Sequence, residues 1–183
     1  MVWRGNFGRL VRAVRGAGTY SHVSYALGGT LAPLHTGAGP VAWVRGFPRP
    51  TLRTAPGGRI ELGHVGLHPG VDLHCGAGAV LIVGNDTFIN RNSRVSAARE
   101  VRIGSGCMIS WDVIVTDGNG FAGIPPQEAA PVLIGDRVWI GARCVILGGT
   151  RLGAGCMVAA GSVVQGVFPP GAVVAGEAAQ VAA

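Results

Sequence analysis

The sequence predicts an all-β protein: a parallel β-solenoid in which short strands and tight turns wind into a coil. Two periodicities and the composition carry this expectation. Taking every sixth residue in three stretches gives Val83, Ile89, Val95; then Ile103, Ile109, Val115; then Ile134, Ile140, Ile146, Leu152, Val158, Val164, twelve aliphatics in twelve positions. A period of six fits neither a helix at 3.6 nor an alternating strand at 2. It fits one inward aliphatic for each straight segment of a coil. A longer period gives the coil itself. Aliphatic-x-aliphatic-Gly recurs as Ile60-Glu-Leu-Gly63, Leu81-Ile-Val-Gly84, Val101-Arg-Ile-Gly104 and Val132-Leu-Ile-Gly135, at steps of 21, 20 and 31 residues. Glycine contributes 32 of the 183 residues and aromatics 6%. That balance suits a chain of turns and not a core of large rings.

The elements follow in order. Residues 1–59 form a basic arm with eight arginines and no acid, so the formal +6 of the chain belongs to its N-terminal part. A short amphipathic helix is expected over residues 1–20, with Arg9, Arg12 and Arg15 on its wet face, and an irregular strand over Val41–Arg45. The arm lacks a dense cationic run or interleaved aromatics, so no nucleic-acid partner is expected. The coil occupies 60–167. Four residues after each inward aliphatic the side chain is small or β-branched: Thr87, Ser93, Cys107, Val113, Val138, Cys144, Thr150, Cys156 and Ser162. The step of 31 ejects about eleven extra residues, and Asp117 to Pro131, full of turn residues, is that loop. A solenoid tolerates such an insertion because each coil touches only its neighbours. Residues 168–183 form a tail that leaves the coil at Pro169-Pro170.

Cys107, Cys144 and Cys156 share the small inner register and read as small hydrophobes. Cys75 lies off that register and reads as open to exposure. No CxxC pair is present, and the three histidines His64, His68 and His74 crowd into the first coils with no later match, so no metal site is expected. No apolar run approaches the roughly 18 residues of a membrane span. The N-terminus lacks the apolar stretch of a signal peptide, and a cytoplasmic protein is expected.

Several motifs resemble a known family. Phe88-Ile-Asn90, Ile109-Ser-Trp-Asp112, Ile134-Gly-Asp-Arg-Val-Trp-Ile-Gly141, Ala160-Gly-Ser162 and Pro169-Pro-Gly-Ala-Val-Val-Ala-Gly176 are similar to those of the hexapeptide-repeat acyltransferases, nearest to the maltose/galactoside O-acetyltransferase-like branch. The resemblance covers roughly residues 60–181. It implies a left-handed parallel β-helix and a homotrimer with active sites in the clefts between subunits. It also implies a small-molecule acceptor and a thioester donor lying along the C-terminal coils. That donor is a co-substrate, acyl-CoA or an acyl-carrier thioester, with the carrier protein as partner; no bound cofactor is implied. Carried onto this chain, the donor strip falls at Ala142, Ala160 and Gly161, and the substrate wall at Trp111, Phe121 and Trp139. Asn90 matches a family asparagine near the acceptor.

The chain departs from the family at two places. Where the family closes a loop motif with a histidine base, this sequence reads Asp117-Gly-Asn-Gly-Phe121, and every histidine lies at or before residue 74. Where the family carries Thr-Lys after the last Val-Val, this one reads Gln165-Gly166, and the chain has no lysine. Three residues stand as replacements in the catalytic set beside Asn90. Asp117 heads the loop, either as a buried base or as an Asx-type turn residue. His74 could act as a base across a subunit boundary. Asn119 is a polar loop tip or an oxyanion- or amide-binding group. The function expected is acyl transfer to a hydroxyl or amine in specialised metabolism. The alternatives are a repurposed enzyme performing a CoA-independent condensation, cyclisation or elimination, and a catalytically silent trimeric scaffold.

Overall fold

The computed structural model describes residues 42–43, 48, 50–118 and 129–176. The helix expected over 1–20 and the loop residues Asn119 and Phe121 lie outside them. Among the described residues, nineteen short strands stack into three parallel faces, each strand bonding to the third one before and after it. Face A consists of β1 (Ala42–Trp43), β4 (Val65–Leu67), β7 (Thr87–Ile89), β10 (Met108–Ile109), β13 (Trp139–Ile140), β16 (Met157–Val158) and β19 (Val173–Val174). Face B consists of β2 (Thr51–Thr54), β5 (Asp72–Cys75), β8 (Arg94–Ala97), β11 (Ile114–Thr116), β14 (Val145–Ile146) and β17 (Val163–Val164). Face C consists of β3 (Arg59–Leu62), β6 (Val80–Val83), β9 (Glu100–Ile103), β12 (Val132–Ile134), β15 (Arg151–Leu152) and β18 (Val167–Phe168).

The six-residue period is the distance from one face to the next. All twelve periodic aliphatics are buried, as are the nine small residues that follow them. The aliphatics stack in register along each face, as in Leu52–Leu73–Val95–Val115–Ile146–Val164 on face B. The small residues turn the corners. Each hydroxyl or thiol reaches a corner carbonyl: Thr87 Oγ1 donates to Gly104 O at 2.7 Å, Ser93 Oγ to Ser110 O at 2.7 Å and Cys107 Sγ to Gly135 O at 3.1 Å. The cysteines therefore act as small donors as well as small hydrophobes. The residue before each of them takes a left-handed conformation, even where it is arginine, with φ of 54° at Arg137 and 58° at Arg143. That costs about 1–2 kcal/mol per residue, offset by the corner hydrogen bond and burial it permits.

Coil length is uneven. On face A the register Leu67↔Ile89 spans 22 residues and Val158↔Val174 spans 16, while the early strands on faces B and C are four residues long and the late ones two. The coil therefore tapers towards its C-terminal end.

Three expectations change. Strand pairing starts before Ile60, because Ala42–Trp43 already pairs with Gly66–Leu67 and Thr51–Thr54 with Asp72–Cys75. The tail does not leave at the double proline; β18 and β19 add another pair of strands up to Val174. Pro169 stands where Gly135 and Gly153 each donate an N–H to the following coil. Among the described residues no coil follows, so its missing N–H costs nothing. Cys75 is buried, because a four-residue strand points two alternate residues inward, here Leu73 and Cys75. Burial pushes its thiol above the ordinary cysteine range.

Candidate functional site

Six of the residues proposed from the sequence lie along one edge. The corner between faces A and B is built from turn segments stacked on one another. Arg143 N–H donates to Trp111 O at 3.0 Å, and Gly161 N–H donates to Ala142 O at 2.8 Å. Trp111, Ala142, Ala160 and Gly161 therefore run in a line along successive coils. Trp139 points outward from face A two residues before Gly141, where the same corner begins. Both tryptophans are large and open, Trp111 at 46% and Trp139 at 44% exposure. A Cβ on Gly141 would lie 2.6 Å from Ala160 N, so the corner is packed backbone on backbone. Asn90 enters the same corner one coil earlier, and its Oδ1 accepts the N–H of Arg91 at 2.8 Å.

An apolar column on face A was missed in the sequence. Phe88, Met108, Trp139, Met157 and Val173 are adjacent partners in register, each the residue just before an inward aliphatic. The signal was that position, read once for every strand of face A. Outward residues there are apolar, whereas face C carries the ion pairs Arg59–Glu61 and Arg102–Glu100.

Asp117 occupies the opposite corner, between faces B and C, where the loop departs. It is buried, at 1% exposure. Ala98 N–H donates to its Oδ1 at 2.7 Å, and the N–H groups of Arg99 and Glu100 donate to Oδ2 at 2.7 and 2.5 Å. A carboxylate holding three peptide donors has its lone pairs committed to the preceding coil, and taking a proton would sacrifice those bonds. This geometry supports the turn-anchor reading of Asp117 over the base reading. The loop's feet also touch: Ala130 N–H donates to Asp117 O at 3.0 Å, and Arg99 Nη1 to Ala129 O at 3.5 Å.

His74 lies on the outer side of face B, half-buried, with Nδ1 3.4 Å from Ser96 Oγ. It does not join the other two early histidines. His64 contacts Asp86 at 3.3 Å, and His68 packs edge-on against Phe88 at 4.3 Å. Burial, with Arg91 second, holds His68 below the usual histidine range. Among the described residues no three His, Cys, Asp or Glu side chains converge as a metal-ligand set. Among the described residues no helix is long and apolar enough to cross a membrane.

This is a three-faced parallel β-helix of six-residue repeats, with an exposed tryptophan-lined edge and one ejected loop. Residues 131–166 match the family model for the bacterial transferase hexapeptide, six repeats. The Escherichia coli K12 protein WbbJ, named for O-acetyl transfer in lipopolysaccharide biosynthesis, is 31% identical over 126 residues, covering 61% of this chain and 64% of its own. A 2,3,4,5-tetrahydropyridine-2,6-dicarboxylate N-acetyltransferase of Staphylococcus aureus strain JH9 is 55% identical over 58 residues, which is 32% of this chain and 24% of its own. The chain thus spans less than two thirds of either relative. The crystal structure of the polysialic-acid-specific acetyltransferase NeuO shares the fold, with a TM-score of 0.53 at 24% identity over 72% of this chain and 67% of its own. The polysialic acid O-acetyltransferase OatWY shares it at 0.52 and 17% identity, over 69% and 64%. Residues 131–166 thus carry the hexapeptide repeat of the bacterial transferases.

Proposed function

We propose that the protein transfers an acyl group from a thioester to the hydroxyl or amine of a small molecule. The observation that carries this reading is the edge on which Trp111, Trp139, Ala142, Ala160 and Gly161 line up, in a chain whose relatives are named O- and N-acetyltransferases. The corner offers a narrow strip of small residues and exposed backbone, flanked by two indole rings. A thin, extended thioester arm fits such a strip, and the rings exclude water from one side of its carbonyl. The acceptor heteroatom attacks that carbonyl, and the tetrahedral intermediate collapses with expulsion of the thiolate.

The supply of a base separates this chain from its resemblance. The loop sequence holds no histidine, and Asp117 is committed to three peptide N–H groups. A neutral amine requires less proton removal before attack than an alcohol does, so amine acceptors rank first unless another base serves the site. Gln165-Gly166 in place of Thr-Lys, with its single cation, favours a carrier-bound donor over free acetyl-CoA. The working assembly we propose is a homotrimer in which the tryptophan edge meets a neighbouring subunit.

Purified protein incubated with acetyl-CoA or an acyl-carrier thioester and a panel of amines and alcohols tests the reading. Thiol release is followed by a chromogenic reagent and product by mass spectrometry. Acceptor-dependent thiol release is expected, falling at least tenfold in Trp139→Ala with little change in melting temperature. Absence of release from every donor overturns it.

A further inference from the structure

Two arginines hold a backbone conformation that long side chains disfavour. At the corner between faces A and B, Gly70, Asn92, Asp112, Arg143 and Gly161 occupy one turn position on successive coils, with φ between 57° and 75°. At the corner between faces C and A, Asp86, Gly106, Arg137, Gly155 and Gly171 repeat the pattern, with φ between 54° and 73°. Glycine, asparagine and aspartate enter the left-handed region at low cost; arginine does not. In each series arginine is the exception. A residue held in such a conformation marks a place where the side chain has a use or the surrounding fold overrides the strain. Strain alone therefore does not separate Arg137 from Arg143. Their surroundings do.

Arg143 sits inside the strip of small residues. Its N–H donates to Trp111 O at 3.0 Å, and the carbonyl of its neighbour Ala142 accepts Gly161 N–H at 2.8 Å. On the following coil, a Cβ on Gly161 would meet nothing within 4 Å, so the turn position next to Arg143 borders open space. The side chain itself is exposed. Among the described residues, the arginines paired with carboxylates are Arg53, Arg59, Arg94 and Arg102. Arg143 is in none of these pairs, and Asp112, stacked one coil earlier, makes no ion pair with it. Arg91 belongs to the same corner, but the Trp111 turn separates it from the small residues. Arg137 lies across face A, at a corner that carries no part of the strip. A guanidinium is permanently charged and presents a planar fork of N–H donors. That fork matches a carboxylate or a phosphate through two parallel bonds.

We infer that Arg143 binds an oxyanion carried by one of the two substrates and so fixes that substrate in the tryptophan-lined strip. The inference rests on the acyl-transfer reading, which supplies two sources for the group. One is the phosphate of a phosphopantetheine thioester arm, and the other is a carboxylate on the acceptor. In either case the cation holds a part of the substrate that does not react. Its loss therefore weakens binding and leaves the chemical step alone. The contact with the bound anion offsets a conformational cost that Asn92 and Gly161 avoid at the same position.

The test measures binding by tryptophan fluorescence with two pairs of probes: phosphopantetheine against pantetheine, and serine against ethanolamine. The members of each pair differ only in the anionic group. In the wild type the anionic member of one pair is expected to bind about tenfold or more tightly than its counterpart, and that pair identifies the source. Arg143→Asn is expected to bind both members equally and to melt about 2–5 °C above wild type, because asparagine suits the left-handed turn. Arg143→Lys keeps the charge without the fork and should retain part of the preference. Arg137→Asn should gain the same stability and retain all of it. In the thioester assay, Arg143→Asn should raise KM about tenfold for the substrate bearing the anion, with kcat within about twofold. A wild type with no preference in either pair overturns the inference while leaving acyl transfer intact. So does an Arg143→Asn protein that keeps the preference, or one that melts below wild type and weakens both members alike. A preference that depends on Arg143, with no thiol release from any donor, overturns the acyl-transfer reading and retains the anion site.

Discussion

Replacing Asp117 tests whether the loop root is an anchor or a reacting group. Its carboxylate takes the N–H groups of Ala98, Arg99 and Glu100, two of them on Oδ2. A hydrogen bond to a charged group contributes about 1.5–3 kcal/mol, less where water reaches the freed donor. Asp117→Ala removes all three bonds. Because the 98–100 segment is partly exposed, water recovers some of them, and the expected loss is about 2–4 kcal/mol. Asp117→Asn keeps the shape. With its oxygen in the Oδ2 position it retains Arg99 and Glu100 but turns an NH2 towards the Ala98 donor. That leaves one donor facing another, a loss of about 1–2 kcal/mol. In a domain of this size each kcal/mol moves the melting temperature by about 3–5 °C. The asparagine variant should melt several degrees below wild type and the alanine variant about 10 °C or more below, both followed by circular dichroism. A base would behave differently. If Asp117→Asn melts within a degree of wild type but loses tenfold or more in turnover, the carboxylate handles protons and the anchor reading is wrong.

Three further outcomes follow from the coil. A Cβ on Gly104 would lie 2.5 Å from Asp136 Oδ1 and 2.6 Å from Gly135 C of the next coil. Gly104→Ala should therefore cost about 3 kcal/mol in urea denaturation. Gly155→Ala, in open space at φ +71, should cost about 1 kcal/mol from backbone strain alone; equal losses would show that coil contact does not set the glycines. Burial lowers the folded pKa of His68 below 6.5, so the unfolded chain binds its proton more readily. The resulting stability is present above pH 6.5 and is lost as pH falls through the lowered value. The acid-side slope of melting temperature should flatten in His68→Asn, and an unchanged slope would remove His68 as its source. Light scattering at micromolar concentration should return a trimer mass; a monomer would refute the inter-subunit site.

What the sequence made legible is what repeats. Ile140 and Cys144 announce their burial because each inward position recurs at a fixed distance, whatever lies outside the coil. The residues of the tryptophan edge came from the family resemblance and not from the period, although Trp111, Ala142 and Ala160 do occupy equivalent turns. Other features depend on quantities that a period of six does not contain. His74 meets Ser96 only because their coil is 22 residues long, a length set by four-residue strands. Cys75 faces inward for the same reason, against a register built on shorter strands. The partners of Asp117 lie 17 to 19 residues behind it, in a corner whose sequence, Ala98-Arg-Glu100, gives no sign of binding a carboxylate. The double proline misled because its ordinary meaning, a broken ladder, does not apply where, among the described residues, no further coil needs the N–H.

The taper of the coil has a mechanical consequence. Between the wide early turns and the narrow late ones, strands fall from four residues to two, so each late turn is held to its neighbour by fewer backbone bonds. Under tension applied to its two ends, such a rod does not yield uniformly. The narrow turns peel first, each releasing 16 to 18 residues of thread, roughly 55–60 Å when extended. The wide turns beneath them demand a larger force and return a longer step. A single-molecule pulling trace should thus climb as it proceeds, a staircase whose treads lengthen and whose risers grow towards the arginine-rich end.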